Sequence, residues 1–229
     1  MNSLLVLATL PFLLAFTFTP MSQSIDLGEK QKAAQFLLEN NTTEKMAVEL
    51  TVRERSMDIN GVETQTETKE MTVFPPQMII PPGEKRTIRV NWNGAATLPV
   101  EKNFRVIAEQ LGLKVDEKTK NKSGIQMLMK YVAALYVTPD NAGPELSVAA
   151  QKSDGKTLEL TLENKGAMHQ ILGEPHVTYE EEGKKKTLKP QDLKGLPGEN
   201  VLAQTKRTFR IPSSVKIPAD SKVSIKVND

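Results

Sequence analysis

The chain has 229 residues, 38% of them apolar and few aromatic, enough for one or two domains with modest cores. Its 30 Lys and Arg against 28 Asp and Glu leave a net charge of only +2 with the signs interspersed, so the basic stripe of a nucleic-acid binder is missing. Cysteine is absent, which excludes a thiol nucleophile, a Cys-ligated metal and a disulfide framework.

Leu4 to Leu14 (LLVLATLPFLL) form an apolar run of signal-peptide length, followed by the small Ala15. No Lys or Arg precedes the run. It contains Pro11 and falls short of the roughly 20 residues that span a bilayer. Residues 1–15 are therefore expected to be a signal peptide, and the mature chain to carry no membrane span.

Strand-like runs follow at even spacing: Phe16 to Thr19, Ala34 to Glu39, Ala47 to Glu54, Glu70 to Val73, Arg86 to Asn91, Phe104 to Gln110 and Gln126 to Val137. They are punctuated by ENNTTE, DING, PPGEK and NWNG, the pattern of a β-sandwich. Helical composition is confined to Glu29 to Phe36, which reads as the approach to a strand. Asn40 and Asn41 suit a turn with left-handed backbone. Pro82-Gly83 suits the centre of a type II turn that returns the chain as a strand, with Ile88 and Val90 toward the core. The stretch LKVDEKTKNKS, Leu113 to Ser123, has four Lys and reads as a solvated hairpin loop.

In SGIQMLMKYVAALYVTP, Ser123 to Pro139, every second residue from Ile125 through Met127, Met129, Tyr131 and Ala133 is apolar. The other face begins polar at Gln126 and is interrupted by Lys130, but Val132, Ala134 and Tyr136 make the later half apolar on both sides. Such a strand is central where both faces are apolar, while its one-sided first half suits an edge that another chain pairs with.

DNAGPE after Pro139 marks a domain boundary, giving an N-terminal domain over 16–140 and a C-terminal β-sandwich over 141–229. The second half offers strands at Leu146 to Ala150, Thr157 to Glu163, His176 to Tyr179, Thr187 to Leu188, Val201 to Leu202, Thr205 to Ile211 and Lys222 to Val227. Its EEEGKKK run, Glu180 to Lys186, reads as a hairpin with opposite charges on facing strands. His169 and His176 lack a metal-binding spacing and read as ordinary strand or turn residues. No GxSxG elbow is present, so a hydrolase finds no support.

The order FTFTP, EKQKAAQFLLENNTTEKMAVELTVRER, FPPQMIIPPGEKRTIRVNW, LPVEKNFRVIAEQL, GIQMLMKYVAALYVTP, then LTLENKGAMHQIL and NVLAQTKRTFRIPSS, resembles the PapD-like periplasmic pilus-assembly (fimbrial) chaperones over nearly the whole mature chain. The resemblance implies an all-β fold of two immunoglobulin-like sandwich domains at an angle around a cleft, a periplasmic location, and no catalytic activity, cofactor or metal. It implies that the last strand of the first domain is lent to a pilin or related surface-fibre subunit by donor-strand complementation, and that the subunit is delivered to an outer-membrane usher. Ile125, Met127 and Met129 match the donor positions, with their side chains directed outward, and unbranched Met suits varied pockets. The family's carboxylate-binding cations align with Ala134 and with Ser22 to Ser24, and its charged interdomain residues with Asn103 and Thr138. Lys130 and Arg105 are then the candidate basic cleft residues. The residues alone leave an alternative open, an exported two-domain β-sandwich adhesion or structural binding module.

Overall fold

The computed structural model describes residues 16–112 and 128–228. The expected signal peptide, the charged stretch 113–123, Ile125 and Met127 lie outside the described residues.

The chain lays down β1 (Thr17–Thr19), β2 (Ser22–Asp26), β3 (Ala33–Glu39), β4 (Met46–Met57), β5 (Glu63–Glu67), β6 (Met71–Phe74), β7 (Gln77–Ile80), β8 (Lys85–Trp92), β9 (Lys102–Leu111) and β10 (Lys130–Thr138). One sheet has the order β1-β3-β8-β6, and a second runs β2-β10-β9-β4-β5 with β7 also paired to β4. Alternation explains the layering. Ala34, Phe36 and Leu38 of β3 and Ile88 and Val90 of β8 point inward and meet Val48, Leu50, Phe104, Val106, Leu135 and Val137 of the other sheet in one buried cluster. Stacking of Phe18 on Phe36 at 5.1 Å ties β1 into it.

The remaining strands are β11 (Leu146–Ser153), β12 (Thr157–Asn164), β13 (Gln170–Ile171), β14 (Glu174–Glu181), β15 (Lys184–Leu188), β16 (Asn200–Val201), β17 (Thr205–Pro212) and β18 (Val223–Asn228). They form sheets β11-β12-β17 and β15-β14-β18 with a short β13-β16 pair. A separate core gathers Leu158, Leu160 and Leu162 of β12 with Val177, Tyr179, Phe209 and Ile211. No α-helix occurs among the described residues. The architecture is two immunoglobulin-like β-sandwiches.

Glu29 to Phe36 leads into β3, and the EEEGKKK run is the β14-β15 hairpin, with Glu180 opposite Lys185 and Glu181 opposite Lys184. Gly83, at φ +70°, takes the conformation that the third residue of a type II turn requires. Four short strands, β2, β5, β7 and β13, were not expected. β2 (SQSID) and β5 (ETQTE) bury at most one side chain, so they lack an apolar period and are held by main-chain pairing.

The turn after β3 corrects the expectation at Asn40. Its backbone is not left-handed; its side chain is instead fully buried. Nδ2 donates to the carbonyls of Glu44 (2.8 Å), Ile80 (2.9 Å) and Pro81 (3.1 Å), while Oδ1 accepts from Thr42 N (3.0 Å) and Thr42 Oγ1 (2.7 Å). Asn164 repeats the device in the second sandwich after the same Leu-Glu-Asn triplet, donating to Met168 O and Val201 O and accepting from Glu145 N and Gly166 N. Each amide satisfies main-chain groups that a turn beside a core withdraws from water. Asn40→Ala is expected to lower stability by about 2 kcal/mol through these lost partners, read as a lower urea midpoint at unchanged m-value.

Candidate functional site

Strand β10 is bonded unequally on its two sides. It pairs antiparallel with β9 from Lys130 opposite Glu109 to Val137 opposite Lys102. It pairs parallel with β2 only from Ala134 opposite Ser22 to Thr138 opposite Asp26. Over Lys130 to Ala133 the second edge has no strand partner among the described residues, so main-chain groups there remain open to pairing.

Met129 shares the face of Tyr131, Ala133, Leu135 and Val137, and it packs half-buried against the first-domain core. The outward direction expected for this side chain is thereby corrected: the alternating row continues the chain's own core face. The neighbouring Leu128 is 49% exposed. Lys130 pairs with the facing Glu109 at 2.9 Å on the half-exposed surface and does not line the cleft.

Arg105 does line it. The cleft between the sandwiches is a cavity of about 400 Å³, bounded by β2, the β4-β5 hairpin, β9 and β10 on one side and by Gly198 to Asn200 and Arg207 on the other. Ser22 and Ala134, cross-strand partners, both line this cavity, so Ala134 and one residue of the Ser22 to Ser24 stretch, where the resemblance expects cations, meet there without charge. Arginines from other strands line the same cavity. Arg105 donates through Nε and Nη2 to the two oxygens of Glu63, at 2.9 and 2.6 Å. Arg55 Nε approaches Glu63 Oε2 to 2.7 Å, but out of line for a hydrogen bond, so it remains a buried donor without a partner. From the second sandwich Arg207 pairs with Glu199 at 2.6 Å and donates to Asn200 O at 2.8 Å.

Three guanidinium groups face two carboxylates here, leaving one net positive charge. Of the five buried side-chain polar atoms without a partner among the described residues, three are Arg55 Nε, Arg207 Nε and Asn200 Oδ1 on the cavity lining. A fourth, Asn103 Oδ1, belongs to the residue opposite Tyr136 in the ladder. Unpartnered buried polar atoms are thus concentrated at this cavity. Arg105 is one of the two basic candidates named from the sequence, whereas Arg55 and Arg207, lone arginines on separate strands, have no spacing that announces them.

The domains also meet through a network that sequence did not reveal. The Glu101 side chain, fully buried, accepts from His169 Nδ1 (2.8 Å), His169 N (3.2 Å) and Thr138 Oγ1 (3.1 Å). The His169 ring stacks on Tyr136 at 3.8 Å, and Tyr136 Oη accepts from Asn200 Nδ2 at 2.9 Å. Elsewhere the β4-β5 turn reaches across: Thr208 N donates to Ile59 O at 2.7 Å. At Gly61, φ +84°, a Cβ would come within 2.7 Å of Arg207 Nε, so glycine lets the turn and that side chain pass. His169 is thus an interdomain residue, not an ordinary strand or turn position. His176 lies on β14 beside its local carbonyl, Glu174 O. Among the described residues no three His, Cys, Asp or Glu side chains converge as a metal site would need.

Burial works to raise the Glu63 carboxyl, but hydrogen bonds from Arg105 and Gln65 and the charges of Arg55 and Arg105 outweigh it and hold the group at about 2, against 4.5 ordinarily. The Glu63 hydrogen bond, acting against burial, raises Arg105 above its ordinary value. A carboxyl lowered by folding contributes stability that is complete above its unfolded value and lost as pH falls toward the folded one. Urea midpoints of the wild-type chain should therefore fall between pH 4.5 and about 2. Glu63→Gln should show a shallower decline over that range.

The family model for pili and flagellar-assembly chaperones, PapD N-terminal domain, matches residues 18–143. No curated protein sequence matches. Among solved structures, a chain of the chaperone–tip adhesin complex of CFA/I fimbriae biogenesis is 15% identical with a TM-score of 0.63, covering 93% of this chain and 92% of its own. A chain of the CsuC–CsuE chaperone–tip adhesion subunit pre-assembly complex, from archaic chaperone-usher Csu pili of Acinetobacter baumannii, is 20% identical with a TM-score of 0.62, covering 91% and 90%. The class 5 fimbriae chaperone CfaA is 13% identical with a TM-score of 0.61, covering 93% and 99%. These likenesses extend over both sandwiches and show the shared fold. Because the family model spans more than half of the sequence, this chain belongs to the PapD-like family of pili and flagellar-assembly chaperones.

Proposed function

We propose that this protein is a periplasmic chaperone that captures pilus or related surface-fibre subunits by donor-strand complementation and delivers them to an outer-membrane usher. The observation that carries the reading is the open edge of β10 over Lys130 to Ala133. A subunit lacking one strand of its sandwich would take main-chain bonds from that edge, next to Met129, which packs on the chain's own core. Ile125 and Met127 precede it at the same parity and are proposed as the donor residues that enter the client groove. That two of the solved relatives are complexes with tip subunits supports fibre subunits as clients.

The same reading takes residues 1–15 as a signal peptide that exports the chain, with domains over 16–140 and 141–229. The cleft would receive the client's terminal carboxylate. Support comes from its surplus positive charge and its unpartnered Arg55 and Arg207 donors, since charge-assisted bonds to guanidinium are the strong ones. Arg105 would share itself between Glu63 and that carboxylate.

Co-purification from periplasm with a strand-deficient fibre subunit tests the reading. The double variant Ile125→Asp and Met127→Asp should keep its melting temperature and lose capture, because the client groove offers no counter-charge. Recovery of subunit at the wild-type level would exclude the donor assignment. Arg105→Ala should weaken capture about tenfold, near 1.4 kcal/mol, with the strand contribution retained.

A further inference from the structure

We propose that Glu63 is a resident competitor for the client's carboxylate: it already occupies the face of Arg105 that a terminal carboxylate would bind, so that capture exchanges one carboxylate for another. That role for Glu63 rests on the anchoring function given to the cleft above.

The pairing of Glu63 with Arg105 has the geometry of a bound ligand. Its two oxygens take Nε and Nη2, at 2.9 and 2.6 Å, in the forked arrangement that a guanidinium offers any carboxylate. Gln65 Nε2 adds a third donor at 2.8 Å, and Arg55 lies against Oε2. One side-chain carboxylate thus gathers two of the three guanidinium groups on the cavity lining, and a chain end entering the cleft finds them engaged.

The carboxylate is the partner free to leave. Only 5% of the Arg55 side chain reaches solvent against 21% of Glu63, and Arg105 stands on β9 inside the sheet, between β10 and β4. Glu63 instead begins β5, an edge strand whose other four residues are exposed and which pairs only with β4 among the described residues. Its side chain can turn toward water without moving a core residue. Departure with nothing in its place would leave Arg55 and Arg105 without their shared counter-ion, a repulsion that only another anion relieves. The exchange therefore discriminates by charge: a free terminal carboxylate restores the balance, and a neutral chain end does not. Nor does acid open the site, because the Glu63 carboxyl, held at about 2, stays charged wherever a terminal carboxyl, ordinarily near roughly 3.5, is charged.

Titration of the full mature chain with acetyl-Ala-Ala-Ala, a chain end with a free carboxylate, and with its amide tests the exchange, read from the side-chain Nε resonances of isotope-labelled arginine. The wild-type chain should bind the acid weakly and the amide not at all. Glu63→Gln puts an uncharged acceptor in the competitor's place and should bind the acid about tenfold more tightly, the factor that one charge-assisted hydrogen bond is worth, while still ignoring the amide. Equal affinity of the two proteins for the acid overturns the proposal, as do a failure of Glu63→Gln to bind it and an amide affinity that rises in step. Should Glu63→Gln lose its β-sheet circular dichroism, Gln65→Ala decides, since it removes one donor to Glu63 from an exposed position. It should tighten acid binding about twofold, as fits a single exposed hydrogen bond, and unchanged or weaker binding overturns the proposal. The two readings fail separately. A wild-type chain that recovers no subunit from periplasm sinks the chaperone function, whereas subunit recovery with an acid affinity unmoved by Glu63→Gln sinks only the competition.

Discussion

Strand β10 is bonded to β9 from Lys130 to Val137 but to β2 only over its second half, and the proposed function rests on that inequality. Where both neighbours are present, from Ala134 to Val137, the strand is buried on both faces and serves as the spine of the first sandwich. Where β2 ends, the same strand keeps its apolar alternation, and its second edge has no strand partner among the described residues. Edges of this kind invite pairing with another chain, and an edge that is to be used for pairing cannot be blunted with a proline or an inward charge. The nearest charges, Lys130 and Glu109, satisfy each other at the surface.

The cleft lies at the other end of that strand. Ser22 and Ala134 put β2 and β10 side by side at its floor without a cation, and the positive charge arrives from the β4-β5 hairpin, β9 and β17. Glu63 keeps Arg55 and Arg105 from repelling one another in the client-free protein, and its strong pairing explains why the carboxyl stays ionised to about pH 2. A pocket that is balanced apart from one surplus guanidinium favours one incoming anion and resists a second.

The scaffold was readable to the extent that it obeys a period. Ile88 and Val90 face the core as their alternation requires, and Pro82-Gly83 makes the turn that its chemistry demands. β2 and β5 escaped because an edge strand held by main-chain bonds can be polar throughout, so nothing in SQSID or ETQTE announces it. Asn40 was recognised as a turn residue for the wrong property, since its buried amide, not its backbone, closes the turn. The site was less legible still. Arg55, Arg105 and Arg207 meet only after two sandwiches are packed, and Glu101 and His169 stand 68 positions apart with no motif to join them. Met129 shows the limit of alternation itself: parity told which residues share a face, but only the fold told which way the face points.

Hydrogen exchange along β10 tests the central claim most directly. In the free chaperone, amides of Lys130 to Ala133 that point away from β9 should exchange rapidly, whereas those of Ala134 to Thr138 bonded to β2 should be protected. Binding of a fibre subunit should slow the first group and leave the second unchanged. If the first group is already protected in the free chain, or stays fast in the complex, the open edge is not where the client pairs and the account fails.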